Sequence, residues 1–290
     1  MRILTKLIPV VFVLLWSTGF IGARLGAPYS EPFTLLSLRF LLVLPLMAIV
    51  IWLSGKSFAL THQQIGHAVV TGILLHGGYL AGVFWAIDNG MPAGVTSVIT
   101  GLQPLITGTL AFFLLKEDVT ARQWIGLAAG FIGIVLVILP KTGTGIAQIP
   151  LWTVPAALGA TLAIAFGTIW QKRQPINTDL VVGTFYQYFG AALVMLPLSF
   201  TEGWVLVWSG ELIFALAWLV IVLSVGANLL LMYLLKHKAA STTATLFYLT
   251  PVSTAILSYF LFGETLDVIQ LVGMAIVVVA IAVCRPKTKA

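Results

Sequence analysis

Ten apolar runs follow one another along this chain, near 5–23, 33–54, 66–87, 92–115, 121–139, 150–170, 180–200, 211–234, 239–262 and 267–284. Each is long enough to cross a bilayer, whose hydrocarbon core of about 30 Å takes about 20 helical residues. The breakers between them, among them "GAPYSEP", "DNGMP", "KEDVTAR" and "PKTGTGIAQIP", are rich in Gly, Pro and charge, as connectors are. None is long enough to hold a soluble domain. Of 290 residues, 60% are hydrophobic and 8% charged, against about 25% charged in an ordinary soluble domain. The expected fold is therefore an all-α integral membrane protein with ten transmembrane helices. The basic start at Arg2 and Lys6, followed by "LIPVVFVLLWSTGFIG", resembles a signal peptide, but in a chain that is apolar throughout it reads as the first helix.

The net charge of +6 would point to nucleic acid in a soluble protein. Here the bases stand singly or in pairs between apolar runs, and membrane orientation is their better use. Crossing the membrane at each run puts Arg2, Lys6, Lys56, Lys116, Arg122, Lys172, Arg173, Lys236, Lys238, Arg285, Lys287 and Lys289 on one side, and Arg24 and Lys141 on the other. That bias predicts both termini in the cytoplasm. The remaining base, Arg39, lies inside the second run. A charge at mid-bilayer costs about 3 kcal/mol on insertion scales, so such a residue faces protein or a water-filled cavity, or else snorkels to the interface.

Two stretches repeat. "LQPLITGTLAFFLLKE" at 102–117 and "LTPVSTAILSYFLFGE" at 249–264 match at an offset of 147 in Leu102/Leu249, Pro104/Pro251, Thr107/Thr254, Leu110/Leu257, Phe113/Phe260, Leu114/Leu261 and Glu117/Glu264. The match continues without a gap through Gln123/Gln270, Gly126/Gly273, Ala128/Ala275 and Ile134/Ile281. Five helices per copy is an odd number, so the second copy enters the membrane upside down. The expected organisation is two inverted five-helix halves, 1–140 and 141–290, an architecture of secondary transporters that rock around a central site.

The chain resembles the ten-helix EamA-type branch of the drug/metabolite transporter superfamily. The resemblance is carried by "LLWSTGFIGARLG", "LLSLRFLLVLPL", the long run from "MPAGVTSVITGLQPLITG" to "GLAAGFIGIVLV" and its echo "KAASTTATLFYLTPVSTAILSYFLFGETLDVIQLVGMAIVVVAI". It implies two five-helix halves around a cavity in a bacterial inner membrane. It also implies export or exchange of a small metabolite, an amino acid or related compound, with no cofactor.

Several side chains are placed where such a cavity would need them. Thr96, Thr100, Gln103 and Thr107 share one helical face, and 147 residues on stand Thr243, Phe247, Thr250 and Thr254. These faces are either cavity walls or hydrogen-bonded helix contacts. Pro104 and Pro251 each remove a backbone donor and mark where their helices bend. His76 is the one histidine at mid-membrane depth, with Tyr79 one turn on. Gln187, flanked by Tyr186 and Tyr188, stands opposite Arg39 at an offset of 148; a cation in one half and an amide in the other suit a solute with one anionic end. Asn228 and Trp16 are further candidates for contact with substrate. Gly126, Gly130, Gly133, Gly78 and Gly82 read as close-packing contacts.

Other chemistries lack their residues. No Walker A sequence is present to bind ATP, and no HExxH motif or cysteine cluster suggests a metalloenzyme. The lone Cys284 allows no internal disulfide. Two alternatives to solute transport remain at this level: an intramembrane lipid-modifying enzyme built on His76 and Arg39, and a flippase for a lipid-linked intermediate. The expected partners are a small-molecule substrate and the lipid bilayer, without nucleic acid; the sequence leaves oligomeric state open.

Overall fold

The computed structural model describes residues 2–115, 121–138, 149–173, 178–228, 230, 231, 234 and 249–283. Within them the chain is helical: α1 (Arg2–Gly26), α2 (Pro32–Leu53), α3 (His62–Gly72), a π-helical segment (Ile73–Gly78), α4 (Tyr79–Asp88), α5 (Ala93–Thr100), α6 (Gln103–Leu115), α7 (Ala121–Ile138), α8 (Val154–Lys172), α9 (Leu180–Ser199), α10 (Gly210–Ala217), a second π-helical segment (Trp218–Ala227), α11 (Thr250–Phe262) and α12 (Val268–Val283). Six continuous stretches are long and apolar enough to cross a bilayer: Leu7–Gly26, Pro32–Leu53, His62–Asp88, Leu151–Gln171, Leu180–Glu202 and Gly210–Ala227. Shorter apolar helices accompany them at Trp124–Val137, Thr250–Phe262 and Val268–Ala280. Lys116, Glu117, Lys141, Lys236, Lys238, Thr243, Phe247, Cys284, Arg285, Lys287 and Lys289, all singled out by the sequence, lie outside the described residues.

Three of the expected single helices are interrupted. The run 92–115 breaks at residues 101–102 into α5 and α6; Pro104 has no N–H to give Thr100, so the ladder restarts with Leu105 and Ile106 bonding the Leu102 carbonyl. The third and eighth runs each widen into π geometry near their middles, where an extra residue per turn re-aims side chains, a feature found mostly at functional sites.

The burial pattern is that of a protein whose solvent is apolar. Large side chains point outward, with Phe260 77% and Phe113 65% exposed, while Arg39, Gln187, Thr184, Ser224 and Thr254 are buried. In lipid, helix association rests on close packing and interhelical hydrogen bonds rather than on burial of apolar surface, and the glycines show this. A Cβ on Gly133 would meet the Gly273 carbonyl at 2.7 Å, and one on Gly273 the Gly133 carbonyl at 2.6 Å, so α7 and α12 touch backbone to backbone. Gln270 seals the same pair by donating to the Val137 carbonyl at 3.0 Å. Early residues of α12 therefore meet late residues of α7, and the two run antiparallel.

The pair α5/α11 crosses the same way, with Gly94 against Ala255 and Gly101 against Pro251. So does α2/α9, where Glu202 caps the start of α2 through the amides of Phe33 (3.1 Å) and Thr34 (2.8 Å), while Lys56 just beyond its end reaches Asp179 at 2.6 Å. Glu264, the acid that closes the second repeated stretch, accepts from the amides of Ala93 and Gly94, each at 3.3 Å. It thereby caps α5, where the helix dipole favours an anion, and it pairs with Arg24 of α1 at 3.7 Å.

Candidate transport cavity

α1, α2, the first π segment, α4, α8, α9 and the second π segment enclose a cavity of about 190 Å³. Its polar wall is a connected set. The Arg39 side chain is 6% exposed, so it does not snorkel; its Nε donates to Ser224 Oγ at 3.0 Å. Ser224 Oγ in turn donates to the Leu219 carbonyl, five residues back, at 2.9 Å, a spacing that π geometry supplies. Tyr188 OH donates to the Ser224 carbonyl at 3.0 Å and accepts from Asn228 Nδ2 at 2.6 Å. The His76 ring packs on Tyr188 with centroids 4.6 Å apart and shares the wall with Gln187. Trp16, Phe20, Tyr79 and Phe84 give the cavity an aromatic remainder.

Arg39 has no carboxylate partner among the described residues, whose ion pairs are Arg24–Glu264 and Lys56–Asp179. A guanidinium carries five N–H donors in a planar fork, and Ser224 takes the one on Nε. No hydrogen bond from its two Nη atoms is seen among the described residues, and the bidentate geometry of such a fork is one that carboxylates match.

Six of the sequence-selected residues line this cavity: Trp16, Arg39, His76, Tyr79, Gln187 and Asn228. Others stand behind or away from it. Thr100 is buried and gives its hydroxyl to the Thr96 and Ser97 carbonyls of its own helix (3.0 and 3.2 Å). Gln103 turns from the cavity and gives Nε2 to Thr107 Oγ1 (3.2 Å) and Thr168 Oγ1 (3.3 Å). Tyr186 faces outward and bonds the Phe58 carbonyl at 3.1 Å. Thr250 is buried between α1 and α11. Pro104 and Pro251 stand at the first turns of α6 and α11.

Tyr188, Thr184, Ser224 and Gln171 belong to the site or its support and were not selected from sequence. The helical-face rule finds the first two. Thr184, Gln187 and Tyr188 are spaced three and four apart and share a face, whereas Tyr186 projects from another.

The profile of the EamA-like transporter family matches this sequence twice, over residues 5–139 and again over 151–285. The chain belongs to the EamA-like transporter family. As a member it is a multi-pass membrane protein and a transporter, not an enzyme. Among its relatives is an S-adenosylmethionine uptake transporter of Rickettsia felis, 32% identical over 229 residues that make up 78% of this chain and 73% of the relative. An uncharacterized inner membrane transporter of Escherichia coli, YedA, is 25% identical over 294 residues, 97% of this chain and 90% of that one. A solved crystal structure at 21% identity superposes with a TM-score of 0.64 over 96% of this EamA-family chain and 94% of its own, a likeness of fold.

Proposed function

We propose that this EamA-family transporter is a ten-helix exchanger of the bacterial inner membrane. In this reading two inverted halves, 1–140 and 141–290, alternate access to the cavity, and both termini are cytoplasmic. The antiparallel crossings of α2/α9 and α7/α12 support the inversion, because each pair joins a helix to its counterpart in the other half. The cavity lining extends to Gln171, Leu180 and Leu231, an end that the Lys and Arg bias assigns to the cytoplasm. At the other end the counterparts of Gln171 and Leu180 at an offset of 148, Ala23 and Pro32, are buried. The conformation is then inward-open.

The substrate is a small zwitterion or anion with a flat apolar part, its carboxylate on Arg39 and its remainder among Trp16, Tyr79 and Tyr188. The observation that carries this reading is Arg39 itself, a buried cation with no acid partner among the described residues, pinned at Nε and facing a cavity. S-adenosylmethionine, which the Rickettsia relative is named for taking up, combines a zwitterionic amino-acid end with a sulfonium and a planar base, and is the first solute to test beside amino-acid derivatives that lack the sulfonium charge. Counterflow in vesicles reconstituted with the purified protein should show saturable movement of that solute or of a competing amino-acid derivative. A panel of such compounds that neither moves nor competes would overturn the substrate class.

A further inference from the structure

At an offset of 147, Gln103, Pro104 and Thr107 of α6 correspond to Thr250, Pro251 and Thr254 of α11. In the first half the amide of Gln103 lies between Thr107 of its own helix and Thr168 of α8, donating to both hydroxyls at 3.2 and 3.3 Å. In the second half the neighbouring helix is α1 and the facing residue Ser17. Gln103 has been replaced by the shorter Thr250, so no amide fills the junction.

What remains there is a set of oxygens. Ser17 Oγ is 3.4 Å from the Thr250 carbonyl, and Thr254 Oγ1 is 3.5 Å from the Ser17 carbonyl, both long for hydrogen bonds between hydroxyl and carbonyl. Ser17 spends its own proton on the Val13 carbonyl at 2.8 Å. Among the described residues Thr250 Oγ1 is buried with no hydrogen-bond partner, and Ser17 and Thr254 are both 0% exposed. An orphaned hydroxyl at this depth costs about 1–3 kcal/mol. The junction lacks the positive, donor-like group that its counterpart holds.

We propose that one Na⁺ binds here, between α1 and α11, on the oxygens of Ser17, Thr250 and Thr254. Ions of this size class bond oxygen at about 2.4 Å. Two such ligands at right angles stand about 3.4 Å apart, the separation seen in both cross-helix pairs. The donors are neutral and no carboxylate among the described residues joins them, which suits a monovalent rather than a divalent cation. Ser17 adjoins Trp16 of the cavity wall, and Thr250 opens α11 just before the proline, so the ion would join the two helices beside the substrate. This inference goes beyond the transport reading by naming a coupling ion, and its test does not depend on any solute.

The test is binding of radioactive sodium to the full-length protein in lipid nanodiscs, together with thermal unfolding in sodium, potassium or choline chloride at equal ionic strength. Saturable binding not displaced by potassium, and a higher Tm in sodium, are the expected results. Thr250→Val and Ser17→Ala should each weaken binding by about tenfold or more and abolish the Tm difference. Ser17→Ala leaves α11 unaltered and decides the matter if Thr250→Val fails to accumulate. Absence of saturable binding, equal Tm in all three salts as for a site holding water only, or wild-type binding by Ser17→Ala would each overturn the proposal.

Discussion

Arg39 and Gln187 occupy corresponding places, 148 residues apart, and both line the cavity together with a π-helical segment: Arg39 donates to Ser224 at 3.0 Å, and Gln187 shares the wall with His76. His76 and Ser224 are themselves 148 residues apart, so the two pairs occupy corresponding places. The halves differ in the charge of one partner, and that difference faces the cavity.

Arg39→Gln makes the two contacts alike in charge. Hydrogen bonds to charged groups are worth about 1.5–3 kcal/mol, so apparent affinity for an anionic or zwitterionic solute should fall by about tenfold to a hundredfold. Membrane levels should stay normal. Concentration-dependent counterflow in vesicles, with protein quantified by immunoblot, reads both; unchanged affinity removes Arg39 from the substrate site.

Tyr188→Phe deletes a hydroxyl that joins Asn228 to the Ser224 carbonyl. Asn228 and the Ser224 carbonyl keep only their own longer bond at 3.3 Å, so the change should cost about 1 kcal/mol and lower Tm in detergent. Asn228→Ala in the Tyr188→Phe background should then cost much less than Asn228→Ala alone. Additive losses in that double-mutant cycle would show that the three groups do not act as one network.

Gly72 and Gly190 hold α3 against α9. A Cβ on Gly72 would overlap the Gln187 carbonyl, and one on Gly190 the Val69 carbonyl. Gly72→Ala should therefore destabilise by about 1–3 kcal/mol or more and displace Gln187 from His76. Gly66→Ala on the same helix meets nothing within 4 Å and should be neutral or stabilising by about 0.5–1 kcal/mol. Equal Tm for the two variants would count against the close packing.

Asp179, which caps α9, lies outside the membrane-spanning segments. Burial pushes its carboxyl upward, but the Lys56 ammonium and the amides of Val182 and Val181 outweigh that and hold it below the usual carboxylate range. Its contribution is therefore present above the ordinary carboxylate pKa and lost as pH falls through the depressed value. Unfolding of the wild type should be more acid-sensitive than that of Asp179→Asn, by a small margin because the pair is partly exposed. Parallel Tm profiles from neutral to acid pH would exclude the effect.

Topology is checked by cysteine labelling in a Cys284→Ser background. Tags replacing Lys141 or Glu202 should react from outside intact cells, and tags replacing Lys56 or Lys172 after permeabilisation only. The reverse pattern would overturn the ten-helix count together with the cytoplasmic termini.

The sequence announced Arg39 because one cation among apolar residues costs enough to demand a reason, and His76 because imidazole at mid-membrane depth does too. Tyr188 was legible but passed over, since adjacency to Gln187 drew attention to Tyr186 on another face. Ser224 could not be read at all. A serine in an apolar helix is inconspicuous, and its place opposite Arg39 follows from a π segment that apolar periodicity does not mark. For the same reason the runs at 66–87 and 211–234 looked like plain helices. The break at residues 101–102, by contrast, was foreshadowed by Pro104, whose missing donor is a local fact. Gln103 and Thr250 read as either cavity walls or helix contacts. Gln103 gives its amide to the Thr107 and Thr168 hydroxyls, because an amide in a dry interior goes where hydroxyls can accept it, and Thr250 is buried beside α1.

Each π segment holds slack. Were its wide turn to tighten into α geometry, the residue released would swing everything beyond it by about 100° around the helix axis and change its height by about 1.5 Å. His76 and Ser224 lie within those turns, so one local rewinding would carry a cavity side chain off its partner and turn the far end of its helix with it. With one such turn in each half, the molecule has a screw on either side of its cavity, and tightening one while loosening the other leaves the total length of coiled chain unchanged.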